Sequence, residues 1–251
     1  FTVDTKQKFD EINLSFLKDF KARISGKYVD WYSGSLGGKA RGLGFAKSMI
    51  NYSDIKKKFK NFKISVPRSA IIGTDEFDRF MKENDLNKIA FSKNKNYENI
   101  ISKFLKGEIS SKLKNTLSKF LDKMRTPLAI RSSSLLEDSQ YQPLSGMYAT
   151  YMLPNSNRSK TKRLKELTKA IKLVYASTYL KEPSSLIEKS VHRHEEEKMA
   201  VIIMELIGKK HQDRFYPSAS GLAQSYNYYP VSYMKRNEGV AYLALGPVSY
   251  T

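Results

Sequence analysis

The sequence predicts an α/β protein, and three observations carry that prediction. Short apolar runs of strand length recur along the chain, the clearest being residues 199–207, flanked by charge on one side and by Gly208 on the other. Between them lie stretches whose apolar residues return at helical spacing, such as Leu164, Leu167, Ile171, Val174 and Tyr175. At 251 residues and 40% hydrophobic, the chain can bury one large core or two lobes with a core each.

From the N-terminus, Phe9, Ile12, Phe16, Leu17, Phe20 and Ile24 mark an amphipathic helix. A glycine cluster follows, with Gly34, Gly37, Gly38, Gly42 and Gly44 running into a helix-like stretch at residues 43–50. Residues 64–67 and 70–73 read as short strands, and Thr74 is placed to cap a helix beginning near Asp75. Residues 83–125 are lysine-rich and helical in pattern, residues 127–131 read as a buried strand and residues 148–153 as another. After the helix around Leu167 and the apolar run at 199–207, a last strand at residues 240–245 ends at Gly246-Pro247. The expected division is an N-terminal lobe with the glycine-rich loop, residues 1–125, and a second lobe, residues 126–251.

Composition narrows the function. With no cysteine there is no disulfide framework and no thiolate metal site, which allows a reducing compartment, and the cytoplasm is the expected location. No apolar run approaches the ~20 residues of a membrane span, so no membrane partner is expected. Lys and Arg number 44 against 25 Asp and Glu, a net charge of +19. That excess suits an anionic partner; a lysine-rich genome acting on solvated surfaces would produce it equally well.

Two segments could carry chemistry. In Ser35-Leu36-Gly37-Gly38-Lys39-Ala40-Arg41-Gly42, backbone amides could cradle a phosphate beside a lysine point charge. The segment is not a Walker loop, because that pattern would put glycine at Ser33 and a hydroxyl at Ala40. A glycine-rich turn before a packed helix would look the same. In residues 128–138, LAIRSSSLLED, a strand delivers Arg131 at its end, three serines follow, and Glu137 and Asp138 come next. Arg131 could grip phosphate oxygens with a planar fork, or could pair with those carboxylates while a serine caps a helix. His192 and His194 beside Glu195, Glu196 and Glu197 suggest a metal, but i and i+2 positions face apart on a helix, and these residues are assigned to the surface.

Taken in order, these motifs resemble the ATP-binding domain of the phosphoenolpyruvate synthase and pyruvate phosphate dikinase family. The pieces are GGKARG (37–42), VPRSAIIGTDEF (66–77), AIRSSSLLED (129–138), SGMYAT (145–150), the Tyr175-Ala176-Ser177 helix, AVIIMELIG (200–208), the Ser220-Gly221 segment and GVAYLALG (239–246). The resemblance implies an ATP-grasp-like fold in which two lobes, with mixed sheets flanked by helices, hold Mg-ATP. It implies that Lys39 and Arg131 hold the triphosphate, with Arg131 also catalytic, and that Gly38, Gly146 and Thr150 contribute nucleotide contacts. The family's apolar strand carries a glutamine against the nucleotide where Met204 stands here; Glu205 beside it is the substitute candidate, although alternation turns adjacent strand residues to opposite faces.

The function so implied is that of an ATP-binding module in a phosphotransferase, a kinase-type transferase that charges a histidine on a separate domain, with ATP and Mg2+ as cofactors. None of His192, His194 and His211 stands in the family's acceptor motif. The motif order stops before the family's G-L-G-E, D-x-E-W and Q-x-R segments, so this chain alone is expected to be inactive. Two other readings stay open: a catalytically inactive relative serving as scaffold or sensor, and a basic nucleic-acid-binding module. The last rests on residues 56–63, KKKFKNFK, which could track a backbone and stack on bases or form an ordinary solvated helix face.

Overall fold

The computed structural model describes residues 34–92, 96–134, 148–180 and 198–247. It is an α/β protein. Helix α1 spans Gly37–Tyr52 and a single turn, α2, spans Ile55–Lys58. Strand β1 (Ser69–Ile72) leads into α3 (Thr74–Glu83), then α4 (Asn87–Ala90), α5 (Tyr97–Lys106) and α6 (Ser111–Lys123). Strands β2 (Leu128–Ser134) and β3 (Thr150–Leu153), helix α7 (Lys160–Ser177) and strand β4 (Met199–Glu205) follow.

A local side-chain cap explains three of the seven described α-helix starts. Asn96, Ser110 and Ser159 each accept a backbone N–H from three residues on, from Asn99, Leu113 and Lys162. Thr74 does not cap α3 as expected: Gly73 occupies the cap position with no side-chain bond, and the Thr74 hydroxyl is used elsewhere. Helix α1 begins at Gly37, six residues before the expected helical stretch. Residues 64–67 form no strand; the pairing of this edge with β4 ends where Glu205, the last residue of β4, donates its N–H to Arg68 O.

Strands β1 to β4 form one sheet in the order β1-β4-β2-β3. The expected fold class holds, and the sheets expected to be mixed are antiparallel in every described pairing. Alternation divides the four-stranded sheet into two faces. One carries Ile72, Leu128, Ile130, Val201 and Ile203 into the main core beneath α3, α5, α6 and α7. The other carries Ile71 and Ile202, which pack with Leu36 and Ala40 of the α1 region. Residues on both sides of position 125 therefore share one sheet and one core. Buried Arg163 of α7 ties this unit together, donating from Nη1 to Leu121 O, Met124 O and Asn155 Oδ1 at 3.1–3.2 Å.

One compact unit ends at Glu205 and a second begins at Leu206. The second holds two antiparallel pairs. Strands β5 (Lys209–His211) and β6 (Arg214–Tyr216) form a hairpin whose His211 and Tyr216 rings stack at 4.1 Å. Strands β7 (Ala219–Gln224) and β8 (Val240–Leu245) pair from Ala219↔Leu245 to Gln224↔Val240.

Candidate functional site

The glycine-rich loop, the start of α3 and the end of β2 meet. Ser35 and Thr74 form a reciprocal pair: Ser35 N–H donates to Thr74 Oγ1 at 2.8 Å, and Thr74 N–H donates to Ser35 O at 3.0 Å. At the other end of the loop, the buried Ser133 hydroxyl donates to Leu36 O at 2.7 Å and accepts Ala40 N–H at 3.0 Å. Leu36, the cap residue of α1, supplies no side-chain bond of its own. The first turn of α1 is thus closed by a serine from β2 rather than by a local cap.

Glycine is required at two points of this loop. Gly34 and Gly37 have φ of +81° and +71°, a region that side chains with a Cβ enter at a cost. A Cβ on Gly37 would lie 1.9 Å from Ser133 O, and one on Gly34 would lie 2.2 Å from Asp75 Oδ1. The loop and strand are in backbone contact that only hydrogen allows.

Strand register locates the other expected residues. Arg131 lies opposite Ile202 on β4 and opposite Thr150 on β3. Directly opposed residues share a face, so Arg131 and Thr150 are neighbours on the face that α1 covers. Ser133 is two positions from Arg131 along β2, roughly 7 Å at strand rise, and shares that face. Ser132 and Ser134 turn to the other face, and all three serines are fully buried. The serines are therefore structural groups rather than surface donors, while Arg131 and Lys39 are half-buried and Thr150 is exposed.

Gly38 and Lys39 belong to the first turn of α1, the positive end of the helix dipole. The Gly37 amide donates weakly to Ser35 Oγ at 3.4 Å and the Ala40 amide to Ser133 Oγ, so two of the four first-turn amides are directed at protein hydroxyls. Arg41 donates from Nη2 to Ser35 Oγ at 2.9 Å. Gly38 and Lys39 lie in a turn bonded to the strand that carries Arg131, and Thr150 lies opposite Arg131. Glu205 lies opposite Leu128, on the other face, and accepts both Nε and Nη2 of Arg68 at 2.5 and 3.1 Å. That hydrogen bond, aided by the guanidinium charge and opposed by burial, holds the Glu205 carboxyl below the usual carboxylate range. Met204, one residue earlier, packs on the α1 side with Ile71 and Ile202.

Gly146, Glu137, Asp138, His192, His194 and Glu195 to Glu197 lie outside the described residues. Among the described residues no group of three or more His, Cys, Asp or Glu could hold a metal ion, and no helix is long and apolar enough to cross a membrane. The residues that sequence reasoning missed are Ser35, Thr74 and Ser133 as partners of the loop. The signal for the first two was slight, a small hydroxyl next to the glycine cluster and another after Gly73. For Ser133 it was alternation, which puts the middle serine of the three on the face of Arg131.

A sequence model of the family described as pyruvate phosphate dikinase, AMP/ATP-binding domain, matches residues 33–246. The chain is also similar to an uncharacterized phosphotransferase, YvkC, of Bacillus subtilis (strain 168), at 28% identity over 153 residues, which is 60% of this chain and 17% of that relative. The chain thus spans a small part of the length of the relative it matches.

Proposed function

Because the chain belongs to the pyruvate phosphate dikinase AMP/ATP-binding domain family, we propose that it holds Mg-ATP for phosphoryl transfer to a histidine on a separate domain. The observation that supports this reading is the bond between the first turn of α1, which carries Lys39, and β2, which carries Arg131. Phosphoryl transfer asks a protein mainly for positioning and charge neutralisation. Lys39 supplies a point charge, Arg131 a planar fork for two phosphate oxygens, and the helix start a partial positive charge. Thr150, beside Arg131, adds a neutral donor, Gly38 leaves the backbone approachable, and Gly146 enters on resemblance.

Glu205 is assigned to its ion pair with Arg68 rather than to the nucleotide. In this reading Mg2+ arrives on the phosphates it neutralises. The cytoplasm, which a cysteine-free chain suits, is the location proposed with this function.

Calorimetric titration with Mg-ATP tests the assignment. Lys39→Ala and Arg131→Ala should each weaken binding about tenfold or more, the loss of a charged hydrogen bond being worth ~1.5–3 kcal/mol. Titration curves of both variants that superimpose on the parent's would refute the site.

A further inference from the structure

We infer that Ser133 and Thr74 are positioning residues for the nucleotide: they fix where the lysine-bearing turn of α1 stands relative to Arg131. The inference rests on the proposed nucleotide site and adds to it two residues that touch no phosphate. Ser133 Oγ is bonded on both sides of the first turn of α1, to Leu36 O and to Ala40 N–H, and Lys39 is the residue before Ala40. The same strand carries Arg131 two positions earlier, on the same face. One buried hydroxyl therefore ties the turn that carries Lys39 to the strand that carries Arg131. Thr74 does the corresponding work at the loop's entry, where its Oγ1 accepts Ser35 N–H and its own N–H donates to Ser35 O.

The cap residue Leu36 makes no side-chain bond and the first residue of the helix is a glycine in the left-handed region, so beyond the packing of Leu36 and Ala40 on Ile71 and Ile202 the Ser133 bonds give this turn its directional tie to β2. Two cations held at fixed spacing bind a polyphosphate better than two that must be ordered on binding, since the ordering cost falls on the affinity. A hydroxyl that only filled space would contribute to stability and leave that spacing alone.

A double-mutant cycle on the whole chain separates the two roles. Ser133→Ala is expected to weaken Mg-ATP binding about tenfold in calorimetry, and much less when Lys39→Ala is already present, because the lysine it positions is gone. Thr74→Val should weaken binding severalfold, and Thr74→Ser, which keeps the oxygen, should restore it. Hydrogen exchange should show the Ala40 amide exposed in Ser133→Ala and the Ser35 amide exposed in Thr74→Val, with the amides of β2 and β4 still protected. Parent-like affinity in Ser133→Ala and Thr74→Val, or losses that simply add to that of Lys39→Ala, would overturn the assignment. If Ser133→Ala exposes the sheet amides as well, the Thr74 pair decides. A parent that binds no nucleotide would sink the proposed function and this role with it, while exchange at Ala40 would still report whether the latch exists.

Discussion

Gly37→Ala puts the contact between loop and strand to a quantitative test. The new Cβ would meet Ser133 O at 1.9 Å and Ser133 C at 2.4 Å, distances that backbone atoms cannot absorb without moving. Alanine in the left-handed region costs ~1–2 kcal/mol by itself. Moving α1 off β2 also breaks the Ser133 bonds to Leu36 O and Ala40 N–H, each worth ~0.5–1.5 kcal/mol net. A stiffer unfolded chain returns about 0.4–1 kcal/mol. The balance centres on a loss of roughly 3 kcal/mol, or a fall of about 6–12 °C in Tm for a protein of this size. Gly42→Ala is the matched control: it lies inside α1 with nothing within 4 Å of the added Cβ, and should gain about 0.5–1 kcal/mol. Calorimetric unfolding of the two variants beside the parent gives both numbers. If Gly37→Ala melts within a degree or two of the parent, the close approach of the loop to Ser133 is wrong.

Two further outcomes follow from the polar groups. Glu205→Gln should cost about 0.5–1 kcal/mol near pH 7, a small value because Arg68 is largely exposed. The Glu205 carboxyl is held low in the folded state, so its contribution is present above the ordinary glutamate range, near 4.3. It disappears as pH falls through the folded value; urea unfolding at pH 7 and in acid should show the gap to the parent shrinking, and a gap that widens in acid refutes the pair. The Tyr175 hydroxyl is fully buried with no hydrogen-bond partner among the described residues, and burial, with the Glu76 charge adding to it, pushes the phenol far above the usual tyrosine range. Tyr175→Phe should therefore be neutral or stabilising by up to ~1 kcal/mol, and a loss above 1 kcal/mol in urea would reveal a partner for the hydroxyl.

The helix around Leu167 and the apolar strand expected at 199–207, which ends two residues earlier at Glu205, were legible because burial on one or both faces writes itself into composition and spacing. The start of α1 was not. Its cap comes from Ser133, 93 residues away, and nothing local to Leu36 announces it. Residues 64–67 have the composition of a strand, but the pairing of this edge with β4 ends at Glu205. The family was legible in the order of the motifs, and its sequence model matches residues 33–246. What the sequence left open was which of the three serines faces α1, and strand register settles that through Arg131↔Ile202 and Ser133↔Ala200. Thr74 was read as the cap of the helix that follows it, but its hydroxyl accepts Ser35 N–H, 39 residues away.

The strand order β1-β4-β2-β3 also has a consequence for how the chain is made. Strand β4 is the last of the four to be translated, yet it lies between β1 and β2 and is the strand that β1 pairs with. About 130 residues separate Ile72 from Val201, so at ~5–20 residues per second β1 waits roughly 6–25 s on the ribosome for its neighbour. During that interval Ile71 and Ile72 have no strand to pair against, and closure requires β4 to insert between two segments already synthesised. Contacts of such long sequence separation slow folding. The lysine-rich helices made in the meantime keep the waiting nascent chain charged, which works against its aggregation.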